Sequence, residues 1–143
     1  MKKSFTSIIE QLPALMPNQT VLFAHCVLNP TGIDQFYPPS GYSAGDTVRI
    51  AVCSVNPVTG PATNLCVQLD TSPGLTDVID IWIDQDGSPS VLHLRFVNGS
   101  PITQFNNVDS AALGAGDQLN IRINCSIGAT PSVAYVGFIK NIS

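Results

Sequence analysis

Apolar and polar residues alternate along most of this chain with the period of a β-strand. The segment 77–83 is the clearest example, because positions 79, 81 and 83 are all isoleucine while Asp80 and Trp82 lie between them. A period of two places successive side chains on opposite faces of a strand. The same pattern predicts strands over 20–28, 47–55, 64–69, 77–83, 91–97, 102–105, 118–127 and 133–142.

Turn-forming sequences separate these segments, and no helical pattern lies between them. Residues 84–89 combine Asp, Gly, Ser and Pro, and Asn98-Gly99 is the strongest signal for a two-residue hairpin. About eight short strands divided by such turns are typical of a sandwich or barrel, whereas a parallel α/β sheet needs helices between its strands. We therefore expect an all-β chain, folded as a jelly-roll-like antiparallel β-sandwich of about eight strands.

Residues 1–19 are predicted to form a short N-terminal helix or arm that precedes a single β-sandwich domain, residues 20–143. The apolar positions of this segment recur at helical spacing: Phe5, Ile8, Ile9 and Leu12. A helix this short needs a surface to pack on. It either caps an open end of the sandwich or reaches onto a neighbouring subunit, and the sequence leaves both alternatives open.

Residues 30–45 form a predicted long loop that contains three prolines and three glycines. Long loops on a rigid β scaffold commonly make binding contacts. The aromatic residues Phe36, Tyr37 and Tyr42 lie in this loop. They could form a platform for a sugar or a partner protein, or they could anchor the loop to the sandwich.

Charged residues make up only 11% of the chain, whereas about 25% is usual. Because a free monomer normally keeps a charged surface to stay dispersed, this deficit indicates that partner molecules cover part of the surface. The net charge is −4, and the six lysines and arginines are too scattered to form a basic stripe. We therefore expect no direct contact with nucleic acid.

Two further features bear on location and redox state. Met1-Lys2-Lys3 is similar to the start of a signal peptide, but Glu10 and Gln11 interrupt the apolar run, and no other segment is long enough to span a bilayer. We expect the chain to be synthesised in a cytoplasm and not to associate with a membrane. The cysteines are then most simply reduced thiols, and their spacing contains no CxxC pair of a zinc site. They are Cys26, Cys53, Cys66 and Cys125.

No catalytic set is evident. His25 and His93 both fall inside predicted strands, and Cys26 points to the face opposite His25 because the two residues are adjacent. We predict no catalytic residue, no cofactor and no enzymatic activity.

The acidic residues between positions 77 and 86 invite a calcium interpretation: Asp77, Asp80, Asp84 and Asp86. The bidentate Glu of an EF-hand loop is replaced by Arg95, so a solvated turn is the favoured interpretation and no metal site is predicted.

The C-terminal third carries one family likeness. Residues 113–123 contain a Gly-Asp turn followed by an alternating strand, and residues 132–139 form a strand with Gly137 among apolar and aromatic residues. Together they resemble the closing two strands of TNF/C1q-type jelly rolls. The resemblance implies a jelly roll that trimerises around a threefold axis, a form that phage decoration proteins and fibre heads are known to use.

An Ala-Gly-Asp turn also occurs twice, at 44–46 and 115–117, and we interpret both copies as starts of equivalent strands.

The last predicted strand is apolar on both faces, with Tyr135 on one and Phe138 on the other. Such a strand is covered on both sides, by a neighbouring subunit or by the N-terminal helix. The residues expected at an interface are therefore Phe5, Ile8, Ile9, Leu12, Phe36, Tyr37, Tyr42, Val133, Tyr135 and Phe138.

These observations favour a virion structural protein. The expected role is a capsid decoration or cement protein that stabilises the shell as a homotrimer through contacts with the major capsid protein or other virion subunits. Its expected location is the virion, assembled in the host cytoplasm. The alternative is a glycan- or receptor-binding jelly-roll head of a phage fibre or lectin-like module.

Overall fold

The computed structural model of the chain describes residues 12–26 and 29–143. The predicted N-terminal helix therefore lies outside the described residues, except for Leu12. The strands are β1 (Gln19–Cys26), β2 (Asp34–Tyr37), β3 (Gly41–Ser43), β4 (Ser54–Val55), β5 (Gly60–Leu69), β6 (Val78–Gln85), β7 (Ser88–Val97), β8 (Thr103–Leu113), β9 (Gln118–Cys125) and β10 (Val133–Asn141).

Two sheets form the sandwich. The first has the order β3-β1-β10-β5-β8, and the second has the order β2-β9-β6-β7 with the short strand β4 beside β9. If the very short β3 and β4 are set aside, the other eight strands, counted along the chain, follow the orders 1-8-3-6 and 2-7-4-5. This is the strand order of a jelly roll. The predicted all-β sandwich is confirmed, with two short strands added to the eight.

The core lies between the two sheets, and alternation builds it from one face of each. On β6, the three isoleucines predicted to share a face are fully buried and meet Phe96 of β7 and Phe138 of β10 in one apolar cluster. Side chains that alternate with these residues point away from the core. Each sheet therefore has an outer face, and the outer faces carry the candidate site.

The segment predicted as a strand over 47–55 is not one. Arg49–Val52 form a 3₁₀ turn, and only Ser54 and Val55 pair with β9. The Asp46 carboxylate accepts a hydrogen bond from the backbone N–H of Val48 at 2.8 Å, which bends the chain. Further along, β2 already occupies the edge of β9. The alternating aliphatic residues that precede Ser54 therefore find no free strand edge with which to pair.

The hairpin predicted at Asn98-Gly99 is also wrong. A turn does form, because the N–H of Ser100 donates to the carbonyl of Val97 at 2.9 Å and Gly99 adopts a φ of +87°. However, β7 pairs with β6 in the second sheet, and β8 pairs with β5 in the first. The turn carries the chain from one sheet to the other.

Two other segments contain more strand than the pattern predicts. The strand predicted over 102–105 continues to Leu113, because polar residues such as Asn106 and Asp109 occupy an edge strand where water solvates them. The predicted loop 30–45 contains β2 and β3, so its aromatic residues lie on strands or beside them.

The two Ala-Gly-Asp turns share backbone geometry but not surroundings. Gly45 and Gly116 adopt φ angles of +74° and +96°, which L-residues rarely occupy. A Cβ at Gly45 would lie 2.7 Å from Cε1 of the buried Tyr37, whereas one at Gly116 would meet nothing within 4 Å. The second turn leads into β9 as predicted, but the first leads into the 3₁₀ turn.

This difference predicts unequal costs for the same substitution. Gly116→Ala should lose about 1–2 kcal/mol of unfolding free energy from backbone strain alone. Gly45→Ala should lose about 1–3 kcal/mol more, because the new methyl group overpacks Tyr37. Urea denaturation of both variants measures the difference. Equal losses would show that the Tyr37 ring moves aside freely.

The turn before β9 also predicts a pH dependence. The Asp117 carboxylate accepts hydrogen bonds from the N–H of Gly114 and from Nε2 of Gln85, both at 2.6 Å, and the Gly114 bond is the larger cause of its lowered pKa. A lowered pKa stabilises the fold above the unfolded value of about 3.9, and this stabilisation is lost as the pH falls below it. Asp117→Asn should therefore be less stable than the parent chain near neutral pH, and the gap should narrow in acid.

Denaturation midpoints at about pH 7 and about pH 3 test this expectation. Asp109→Asn, at an exposed carboxylate on β8 that accepts one bond from Asn106, is the control and should show a much smaller gap. A gap for Asp117→Asn that stays constant with pH would contradict the assigned role.

Candidate functional site

The two outer faces differ sharply in chemistry, and the outer face of the second sheet collects charge. Asp80 accepts hydrogen bonds from Nε and Nη2 of Arg95 at 2.8 and 3.0 Å, and Nε2 of His93 lies 2.7 Å from the same carboxylate. The hydrogen bonds that Arg95 donates to Asp80, together with the negative charge of Asp80, raise the pKa of the Arg95 guanidinium. In the same cross-strand row, Nδ2 of Asn124 donates to Asp34 at 2.8 Å.

The next row across this sheet alternates rings with a cation. Phe36, Arg122, Trp82 and His93 are direct cross-strand partners on β2, β9, β6 and β7. The Arg122 Cζ lies 5.2 Å from the centroid of the Phe36 ring. The rings of Trp82 and His93 stack with centroids 4.8 Å apart and planes 10° apart. Phe36 is thus held beneath a guanidinium.

Asp84 is the most deeply buried charge on this side. Its side chain is fully buried, and Nη2 of Arg122 lies 2.8 Å from Oδ1 while the same nitrogen donates to the carbonyl of Gly87 at 3.0 Å. Burial raises the pKa of Asp84, and the positive charges of Arg122 and Arg49 oppose that rise.

The four acidic residues between 77 and 86 do not form one site. Asp77 accepts the N–H of Gly74 at 2.6 Å, and Asp86 accepts the N–H of Gln118 at 2.8 Å, while Asp80 and Asp84 bind the arginines. The favoured interpretation of a solvated turn is wrong for three of them, because Asp77, Asp80 and Asp84 are buried. Among residues 12–26 and 29–143, no group of three or more His, Cys, Asp or Glu side chains could hold a metal ion.

The outer face of the first sheet is aromatic and uncharged in its two central rows. One row runs Tyr42, His25, Tyr135, Gln68 and Thr103 across β3, β1, β10, β5 and β8. His25 stacks on Tyr135 at 4.7 Å between centroids, and it meets Tyr42 edge to face at 4.8 Å. The neighbouring row runs Phe23, Gly137, Cys66 and Phe105. We call these two rows the aromatic face.

Gly137 leaves room for the Phe23 ring to pack on the aromatic face. A Cβ at this position would lie 2.8 Å from Cδ1 of Phe23 and 3.0 Å from Sγ of Cys66. The missing side chain allows the Phe23 ring to lie across β10 and cover the Cys66 thiol. This burial raises the pKa of Cys66 to about 12, so the thiol is protonated at neutral pH.

The described chain also begins at the aromatic face. Leu12 and Pro13 line a cavity of about 200 Å³ together with Asn64, Phe105 and Asn107. Residue 12 therefore lies at the rim of this face, on the β5 and β8 side.

A second apolar surface is the loop over residues 46–55. Val48, Ile50 and Val55 are 56%, 65% and 62% exposed, although their sequence pattern is that of a buried strand. The backbone beneath them is anchored, because Arg49 donates to Gln118 at 3.0 Å and accepts from Nδ2 of Asn120 at 3.2 Å through its carbonyl. We call residues 46–55 the apolar loop.

The structure brings only some of the predicted interface residues together. Leu12, Tyr42 and Tyr135 lie on or beside the aromatic face. Phe36 lies on the opposite outer face under Arg122. Phe5, Ile8 and Ile9 lie outside the described residues.

Three of the predicted interface residues are core residues instead. Tyr37, Val133 and Phe138 are fully buried between the sheets and leave no surface for a partner. Strict alternation would place Val133 and Tyr135 on one face, but a register shift between them turns Val133 inward.

The sequence did not single out Phe23 and Phe105 for the aromatic face, and it gave His25 no stacking role. Alternation within 20–28 does place Phe23 and His25 on one side, but nothing local shows that Tyr135, more than a hundred positions away, lies beside them. Cys26, adjacent to His25, points into the core as expected, and burial raises its pKa above its usual range. All four cysteines are free thiols.

Within the part of the chain that the structure describes, no helix has the length and apolar content needed to cross a membrane. Comparison with known proteins adds no relative: no family model matches the chain, and no curated protein matches it.

Proposed function

We propose that this chain is a virion structural protein, a capsid decoration or cement protein, and that it acts as a homotrimer whose subunits meet through the aromatic face. The observation that carries the proposal is the separation of charge between the two sheets. Ion pairs such as Asp80–Arg95 and Asp84–Arg122 lie on the outer face of the second sheet, while the aromatic face contains no Asp, Glu, Lys or Arg.

The physics of association supports this choice of face. Buried apolar surface contributes about 25 cal/mol per Å², and aromatic residues are enriched at the centres of interfaces from which charges are depleted. The rings of Tyr42, His25 and Tyr135 already hold one another in place, through one edge-to-face contact and one stacked contact. They therefore lose little side-chain entropy when a partner packs against them.

The proposal also includes the N-terminal segment. Residue 12 lies at the rim of the aromatic face, and the apolar positions Phe5, Ile8 and Ile9 precede it in the sequence. Eleven residues can reach up to about 40 Å when extended, which exceeds the width of a small domain. In the proposed trimer, residues 1–19 act as the arm that reaches a neighbouring subunit.

Two observations support the threefold symmetry and the role in a shell. The jelly-roll strand order agrees with the resemblance of the C-terminal third to TNF/C1q-type jelly rolls, a family that forms trimers. The apolar loop, held rigidly on the other sheet, offers a separate contact for the major capsid protein or another virion subunit. Such a protein strengthens a shell through shared contact area and needs no catalytic step.

The aromatic face predicts a specific disruption of the trimer. Tyr42 is 73% exposed, so Tyr42→Asp should leave the fold intact while placing a charge in the interface. The parent chain should have three times the monomer mass by light scattering, and Tyr42→Asp should run as a monomer. Val108→Asp, at an 87% exposed position on β8, is the matched control and should remain trimeric.

Two outcomes would count against the trimer proposal. A parent chain that stays monomeric at high concentration would overturn self-association altogether. Dissociation by Val108→Asp but not by Tyr42→Asp would move the interface from the aromatic face to the edge of the first sheet.

The role in a virion predicts that the chain is present in purified particles at a fixed copy number, as measured by quantitative mass spectrometry. Ile50→Asp, in the apolar loop, should stay trimeric but fail to co-sediment with capsids that lack the chain. Absence of the chain from purified particles would contradict its role in a virion. Unchanged co-sedimentation of Ile50→Asp would contradict the role of the apolar loop as the capsid contact.

The alternative function is a glycan- or receptor-binding head. The outer face of the second sheet favours it, because Trp82 lies there among Asp80, Arg95 and Arg122, the residue types that line sugar sites. It ranks second because these charges already bind one another.

A glycan array, with and without calcium, separates the two functions. The cement proposal expects no specific retention by the parent chain. Specific retention that Trp82→Ala abolishes would favour the glycan-binding head instead.

A further inference from the structure

A cleft opens between the two sheets at the end of the sandwich where β1, β4 and the last residues of β10 approach one another. Its volume is about 260 Å³, somewhat below the range of roughly 300–1,000 Å³ typical of sites for drug-sized ligands. Most of its wall is aliphatic, contributed by Leu22, Val55, Leu119 and Ile142, with two prolines. The cleft is therefore suited to a small molecule with an apolar part.

One cation lies in this apolar wall. Lys140 lines the cleft, only 5% of its surface is exposed, and its Nζ donates one hydrogen bond, to the carbonyl of Asn141 at 2.5 Å. Arg95 and Arg122 each have a carboxylate partner, but no described carboxylate lies within 4.0 Å of Lys140. An ammonium group has three donors, so two of them have no partner among the described residues. Burial lowers the pKa of Lys140.

A second polar atom in the cleft wall is unsatisfied. The side-chain nitrogen of Asn56 donates to the carbonyls of Val58 and Gly114, both at 2.8 Å, but its buried Oδ1 has no hydrogen-bond partner in the part of the chain that the structure describes. Buried polar atoms are normally paired, because an unpaired one costs about 1–3 kcal/mol. A donor brought by a ligand, or by water bound with it, would satisfy this oxygen.

We propose that this cleft binds a small monocarboxylate with a short apolar chain, its carboxylate on Lys140 and its chain against Leu22, Val55 and Ile142. Among residues 12–26 and 29–143, no Asp or Glu lines the cleft, so its charge selects an anion. A phosphate group carries more charge and is usually held by several donors, whereas a single ammonium beside aliphatic walls matches one carboxylate. This inference does not depend on the proposed function, because ligand binding in the cleft requires neither a trimer nor a capsid, although Val55 belongs to both the cleft and the apolar loop.

Hexanoate is a suitable probe, followed by methyl NMR of the full chain. It should shift the methyl signals of Leu22, Val55 and Ile142 until the site saturates. Lys140→Met keeps the aliphatic stem without the charge and should weaken binding about tenfold to a hundredfold. Arg95→Met, which removes a surface cation on the other sheet, should leave hexanoate binding unchanged.

A neutral ligand gives the same test without any substitution. Hexanamide has nearly the same shape and should bind the parent chain as weakly as hexanoate binds Lys140→Met. Bound hexanoate should also raise the pKa of Lys140, since a carboxylate favours the charged amine. The proposal is overturned if hexanoate produces no saturable shifts, or if the charge of Lys140 and that of the ligand make no difference to binding.

Discussion

The central strand β10 has to serve two surfaces, and the rest of the structure depends on how it does so. Its inner side places Val136 and Phe138 in the core, and its outer side places Tyr135 in the aromatic face. This division follows from strict alternation over residues 135–138, and a register shift against β5 near each end of this stretch interrupts the alternation there, so that Val133 also faces the core. Gly137 completes it, because any side chain there would push Phe23 off the strand.

Charge is distributed according to the same division. With so few charged residues, the chain cannot keep both outer faces well solvated, and it concentrates its arginines over the second sheet. There they neutralise buried or half-buried aspartates, such as Asp84, whose pKa burial raises. The first sheet then has an outer face whose contacts are made by rings. A low charge content thus leaves one side of the sandwich with ion pairs and the other with aromatic rings.

Local pattern was enough to predict most of the strands. Alternation located β6 and β7 to within a few residues, because isoleucine, leucine and phenylalanine occupy the inward positions 79, 81 and 83 of β6 and 92, 94 and 96 of β7. The same alternation failed over 47–55, where Asp46 turns the chain and β2 holds the edge that the strand would need. It also missed the second half of β8, since an edge strand tolerates polar residues on both faces.

The candidate site was only partly predictable, because it depends on contacts between distant segments. Tyr42 was expected at an interface because it lies in the long loop 30–45, and Tyr135 because its strand is apolar on both faces. The ring between them comes from β1, and neither local spacing nor hydropathy reveals that pairing. Tyr37 shows the converse. It lies in the same loop sequence as Tyr42, yet it is fully buried because β2 pairs with β9 over the core.

The edge strands of the two sheets are poorly suited to pairing with the edge strands of another copy. β3 and β4 are only three and two residues long, β8 carries Asp109, and β7 carries Pro89 near its start. Short, charged or proline-containing borders resist strand-to-strand growth, the route to open fibres. The trimer proposed above accordingly uses a broad face instead of a hydrogen-bonding rim, and its threefold symmetry closes the contacts into a ring of defined size.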